Sequence, residues 1–239
     1  MTSSTAPAAA HPRSSTDRRG ILFIISAPSG TGKTTLCKQL AANLDGLWHS
    51  ISYTTRKPRP GERHGREYYF VEEGAFRDMI GRNEFVEWAE VYGHLYGTPL
   101  KSLTEKIDQG IDVLLEIDVQ GAKQVKKRFE DSVSIFILPP SMTVLRSRLQ
   151  TRASDSQEEI QRRLHKVKEE VWSYREYAYI VLNQDIGQSL GELESIFRSE
   201  RLKTKRLNMT WLENNFIFDE EQKPGDHKDL PQPKGVPLP

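Results

Sequence analysis

Apolar residues recur along the chain in two rhythms. Short unbroken runs stand at Ile21–Ser26, Val113–Ile117, Val133–Leu138 and Tyr179–Leu182. Such runs are the pattern of strands buried on both faces. Leu36, Leu40 and Leu44 recur at helical spacing, and so do Ile160, Leu164, Val167 and Val171. Each set gives a helix one apolar face. A last, long helix is predicted from Ile186 to about Leu212. Buried strands alternating with helices predict an α/β fold, a parallel-sheet core with helices on both faces. Residues 50–100 break the alternation. They are rich in Tyr, Arg, Gly and Thr and read as a mixed-β insertion.

The ends carry no such rhythm. Residues 1–19 are rich in Ser, Thr, Ala and Pro, and residues 219–239 contain Pro224, Pro231, Pro233, Pro237 and Pro239. Both are predicted to be disordered tails. Arg13, Arg18 and Arg19 beside the single acid Asp17 resemble a transit segment. A solvated tail is the simpler reading, and no apolar stretch there suits a secretory signal.

Composition narrows the classes. The 239 residues suffice to bury a core without disulfides or structural metal. Lys plus Arg is 34 against 33 acids, a net charge of +1, which excludes a strongly basic nucleic-acid coat and a polyacidic chaperone. Cys37 is the single cysteine, so no intramolecular disulfide can form, and a buried apolar role is expected for it. Ile21–Ile25, the longest apolar run, is too short to cross a bilayer. A soluble cytoplasmic protein is expected. The His residues show no ligand spacing, so no His-based metal site is predicted. The four Trp read as packing residues, and the basic run Arg198–Arg206 as a solvated helix face.

The strongest local signal is Ala27-Pro28-Ser29-Gly30-Thr31-Gly32-Lys33-Thr34-Thr35. It follows the first strand and opens the Leu36/Leu40/Leu44 helix, the context a P-loop requires. Small residues let backbone N–H groups converge on an anion, and the helix N-terminus adds partial positive charge. Lys33 can reach the β- and γ-phosphates, and the Thr34 hydroxyl can ligate Mg²⁺. The usual pattern has Gly where this chain has Ala27, which is harmless if φ there is negative. No Asn-Lys-x-Asp segment occurs, which counts against a switch GTPase.

Residues 56–66 hold five Lys or Arg and one acid. Arg56 and Arg59, followed by Tyr68, suit one small phosphate monoester, since Arg offers planar paired donors and Tyr a hydroxyl. Apolar neighbours around Glu87 suggest a partly dry carboxylate.

Together these segments resemble guanylate kinase, a P-loop nucleoside monophosphate kinase. The resemblance runs from about residue 20 to 208. It is carried by Ser26–Thr35, Ser52–Arg56 with Arg59, Glu67-Tyr68, Glu87-Trp88, Tyr96-Gly97-Thr98 and Glu116–Gly121, in the family's order and spacing. It implies transfer of the γ-phosphoryl group of ATP to GMP. It also implies a layout: core with P-loop at 20–52, a mixed-β GMP-binding insertion at 53–100, core at 101–140, a helical lid at 141–172, then core and C-terminal helix at 173–218. By similarity, Arg56, Arg59, Tyr68 and Tyr96 would hold the GMP phosphate, and Ser52, Glu87, Thr98 and Asp118 would read the base. Glu87 would accept from guanine's N–H donors, and Thr98 would donate to O6. Glu116 would hold Mg²⁺ through water, together with Thr34. Arg148, Arg152 and Arg163 would be lid arginines beside Lys33 in catalysis, and Asn183 would lie near the adenine of ATP. Residues 146–168 carry seven Lys or Arg against three acids, a surplus suited to facing an anion.

Three other readings remain open at this level. They are a catalytically silent binding module of the same fold, a P-loop kinase for another small anion, and a nucleic-acid binder acting through residues 56–66. The presence of Lys33, Thr34 and the three arginines favours the enzyme, with ATP and GMP as partners and neither nucleic acid nor membrane. Oligomeric state stays open, a homodimer included.

Overall fold

A computed structural model describes residues 18–150, 164–165, 167–207, 209 and 213. Four of the five core strands are the predicted runs: β1 (Leu22–Ser26), β7 (Asp112–Glu116), β8 (Val133–Leu138) and β9 (Tyr179–Leu182). The fifth, β2 (Leu47–His49), is three residues long and half-buried at a sheet edge. Every pairing is parallel and the order is β2-β7-β1-β8-β9. β1 therefore lies in the middle, and its side chains go alternately into two cores. Ile21, Phe23 and Ile25 pack with α1 (Lys33–Asn43) and α6 (Ile186–Leu202). Leu22 and Ile24 pack on the other face with α3 (Leu100–Asp108) and α4 (Val119–Arg128).

A second sheet has the order β4-β3-β6-β5, with β3 (Tyr53–Thr54), β4 (Tyr69–Phe70), β5 (Phe85–Val91) and β6 (His94–Pro99). β3 pairs parallel to β4 and antiparallel to β6, and β5 pairs antiparallel to β6. Its apolar side is closed by α2 (Glu73–Gly81), a helix that the strand-like composition of this stretch concealed. Phe76, Phe85 and Leu95 form a separate small core there. Leu145 of α5 (Met142–Gln150) packs with Leu164 and Val167, giving the segment after β8 its own apolar cluster. Ile160 lies outside the described residues.

Four expectations need correction. The helix that starts at Ile186 does not run unbroken to Leu212 but ends at Leu202, where Lys203 turns to extended backbone. Its ammonium bonds Glu200 at 2.6 Å, and Lys205 bonds Asp131 at 2.7 Å. These ion pairs bend the chain off the helix axis, and Arg201 is drawn onto Asp112 at 2.7 Å rather than left solvated. Arg18 and Arg19 are structured, the first against Asp112 at 2.6 Å and the second against Asp108 at 3.0 Å. Residues 1–17 and 219–239 lie outside the described residues. Trp88 is 41% exposed and Trp172 is 62% exposed, so neither is a core packer. Arg175 covers the Trp172 ring at 4.9 Å instead. Cys37 is buried in the first core, and burial pushes its thiol pKa up.

Candidate active site

The carboxyl ends of β1 and β7 meet the open side of the second sheet in one cleft. This is where open parallel sheets place their ligands. Residues 27–35 line one wall, Ser52, Arg59, Tyr68, Glu87 and Tyr96 another, and Glu116 and Asp118 the floor.

The loop between β1 and α1 owes its curl to two glycines. Gly30 and Gly32 have φ of 88° and 89°, a region closed to most side chains. Ala27 is not among the positive-φ residues, so alanine there carries no strain. The loop is braced from below. The Asn183 amide donates to Thr31 O at 2.6 Å and lies against Ser189 Oγ at 3.3 Å. Arg148 reaches the same Thr31 carbonyl at 3.4 Å and Asn183 O at 3.2 Å. Asn183 is thus buried under the loop and committed to its backbone. Lys33 donates to Ile117 O at 3.0 Å, which lays its side chain across the mouth of the loop. Arg152 and Arg163 lie outside the described residues.

Thr34 donates to Glu116 Oε1 at 2.5 Å. His49, at the end of β2, stands 3.6 Å from the other Glu116 oxygen. Burial lowers the His49 pKa against the pull of Glu116. A hydroxyl and a carboxylate side by side beneath a phosphate cradle form an oxygen donor set suited to a hard divalent cation.

At the far end, Thr98 Oγ1 donates to Glu87 Oε1 at 2.6 Å, and Ser52 Oγ lies 3.2 Å from Thr98 Oγ1. The pairing of β5 with β6 makes this contact, since Glu87 stands opposite Thr98. Glu87 is 4% exposed. Burial, with the charge of Asp118 adding, pushes its carboxyl pKa up to about 7, against the Thr98 bond. Thr98 thus stands between Ser52 and Glu87 at this end of the cleft. Asp118 caps α4 through a bond from Gly121 N at 2.9 Å.

Between the two ends, Arg59, Tyr68 and Tyr96 face the cleft. Burial drives the Tyr68 phenol well above its ordinary pKa, so it stays a donor. Arg56 lies over the Tyr68 ring at 5.5 Å and is held there by an acid. Both of its terminal nitrogens bond Glu62, each at 2.9 Å, and Glu62 also accepts from Arg59 N at 2.7 Å. Glu62 is the sole acid of the basic stretch, and that oddity was the signal that could have marked it. Nothing in the spacing could have paired His49 with Glu116, because β2 meets β7 only through the sheet.

The cleft can therefore hold a phosphate chain at one end. At the other it can hold a planar group with adjacent N–H donors, with arginine and tyrosine donors between them.

Known proteins resemble this chain over most of its length. The family model described as guanylate kinase matches residues 19–200. The guanylate kinase of Geobacter metallireducens is 50% identical over 190 residues, 80% of this chain and 94% of that one. The guanylate kinase of Geobacter sulfurreducens is 48% identical over 190 residues, covering 80% of this chain and 94% of that one. The crystal structure of guanylate kinase from Anaplasma phagocytophilum superposes with a TM-score of 0.72 at 34% identity, covering 85% of this chain and 99% of that one. Motif order, fold and likeness over most of the chain lead to the same place: this chain belongs to the guanylate kinase family.

Proposed function

We propose that this protein transfers the γ-phosphoryl group of ATP to GMP, giving ADP and GDP. One observation carries the reading: the phosphate loop and the buried Glu87–Thr98 pair open into a single cleft. Guanine presents N1–H and N2–H₂ as neighbouring donors, which a carboxylate accepts. Adenine lacks the N1 donor and would leave the buried acid with only its Thr98 bond. Sites built on such bonds discriminate by roughly 10⁴-fold. Phosphate attraction is the same for every mononucleotide and cannot supply that choice.

Arg59, Tyr68 and Tyr96 would hold the GMP phosphate, with Arg56 kept in place by Glu62. Ser52 and Asp118 would complete the base pocket. ATP would lie on residues 27–35, with Lys33 on its terminal phosphates. Thr34 would hold Mg²⁺ directly and Glu116 through water. Bound there, the ion would neutralise charge on the β- and γ-phosphates. Arg148, Arg152 and Arg163 would face the transferring group as lid arginines. The acceptor oxygen of GMP is already ionised near neutral pH, so no protein base is required. Catalysis is positioning plus charge neutralisation. ATP and GMP are the partners this chemistry calls for, in the cytoplasm, with no polynucleotide or membrane involved.

The test is ADP release with ATP plus GMP, AMP, UMP or CMP. GMP alone should support rapid turnover. Equal rates with AMP would overturn the assignment.

A further inference from the structure

Gly121 is the third residue of α4 and has no positive φ. Its backbone does not call for glycine, and glycine in a helix is weaker than alanine. Three other helical glycines have open space around them, since a methyl at Gly74, Gly81 or Gly191 would meet nothing within 4 Å, while one at Gly187 would stand 3.2 Å from Asp185 Oδ1. A methyl at Gly121 would overlap Glu87 Oε2 and stand 3.0 Å from Cδ and 3.4 Å from Cγ. The carboxylate cannot withdraw freely. Its other oxygen receives Thr98, and its strand is pinned to α4 by Gln124. The Gln124 amide donates to Trp88 O at 2.7 Å and accepts from Trp88 N at 3.2 Å. The Gly121 N–H meanwhile fixes Asp118 Oδ1 at 2.9 Å.

We propose that Gly121 is a positioning residue for substrate specificity. Its missing side chain admits the Glu87 carboxylate to the first turn of α4, and its N–H sets Asp118 beside it. The two acids that would read the acceptor base thus share one backbone anchor. The inference rests on the reading of Glu87 as the guanine acceptor.

The experiment compares Gly121→Ala, Glu87→Ala, the double variant and the unsubstituted chain. Thermal unfolding is followed without nucleotide. Gly121→Ala should lower Tm when Glu87 is present. It should raise Tm when Glu87→Ala is present, where only the helix preference of alanine remains. In the steady state, Gly121→Ala should raise KM for GMP by about tenfold or more, the effect of one displaced buried hydrogen-bonding group, and leave KM for ATP within about twofold. In the Glu87→Ala background it should add less than about twofold. A Tm change of the same sign in both backgrounds, an unchanged KM for GMP, or equal losses for both substrates would overturn the proposal. A protein that uses AMP as readily as GMP would instead overturn the guanine assignment. The Tm comparison reads the Gly121–Glu87 contact without any nucleotide.

Discussion

The two ends of the cleft are built from different materials. The phosphate end is mostly main chain: two left-handed glycines, a helix N-terminus, and a loop carbonyl held by Asn183 and Arg148. The base end is side chain on side chain, with Ser52, Thr98 and Glu87 in file between two strands. Peptide groups do not titrate, so the first end holds its shape across a wide pH range. The second confines a carboxyl group that burial keeps near neutral charge until about pH 7. Generic recognition of phosphate comes with the fold. Choice of base costs the folded state free energy.

The largest expected effect tests the phosphate end. Lys33→Ala should lower kcat by about 10³-fold while the far-ultraviolet spectrum is unchanged, because it removes a charge aimed at phosphate rather than a core contact. An unimpaired rate would break the contrast at its first term.

The next effect tests the base end by pH. Glu87 ionises near 7 in the folded chain, above its ordinary value of 4.5. The folded state therefore holds more protons than the unfolded one between those values, and stability falls as pH rises through them. Above the folded pKa the loss is constant. Glu87→Gln escapes it, so the variant should match the unsubstituted protein in urea unfolding at pH 4. At pH 8 it should be more stable by about 3 kcal/mol. A gap independent of pH would show that the carboxyl group is not strained. The same variant should raise KM for GMP about tenfold and leave ATP alone, since an amide offers one acceptor where guanine presents two donors.

The smallest effect sharpens the contrast. Asn183→Ala leaves Thr31 O with only the longer Arg148 bond. It should cost about 1–2 kcal/mol in urea unfolding and raise KM for ATP with no change for GMP. A loss confined to GMP would mean that the two ends are not independently built.

Much of this was legible in the chain. Continuous apolar runs specify the parallel sheet, because a strand covered on both faces has no polar side to show. The glycine-rich turn announced itself because its chemistry is local. What escaped was set by distant partners. α2 was hidden in a stretch of strand-forming residues, since its buried face is only Phe76 packed on a second core. The helix from Ile186 stops at Leu202, where Glu200 and Asp131 bond lysines beyond it, a competition that apolar spacing does not register. Arg56 matched a phosphate-binding position, yet its pairing with Glu62 depends on how the following turn folds back. The bond from Asn183 to the Thr31 carbonyl joins residues 152 apart and was not written in the strand that precedes Asn183.

Far from the cleft, Asp112 is fully enclosed at the start of β7 and collects Arg18, Arg201 and the Ile21 N–H. One acid thus joins the segment leading into the sheet to the helix that closes it. Anyone trimming or tagging the protein inherits that constraint. A cut beyond Arg18 strips one of two countercharges from a sealed anion, a change that characteristically costs several kcal/mol. The tolerable front edge of this enzyme is therefore set by electrostatics on the side opposite its chemistry.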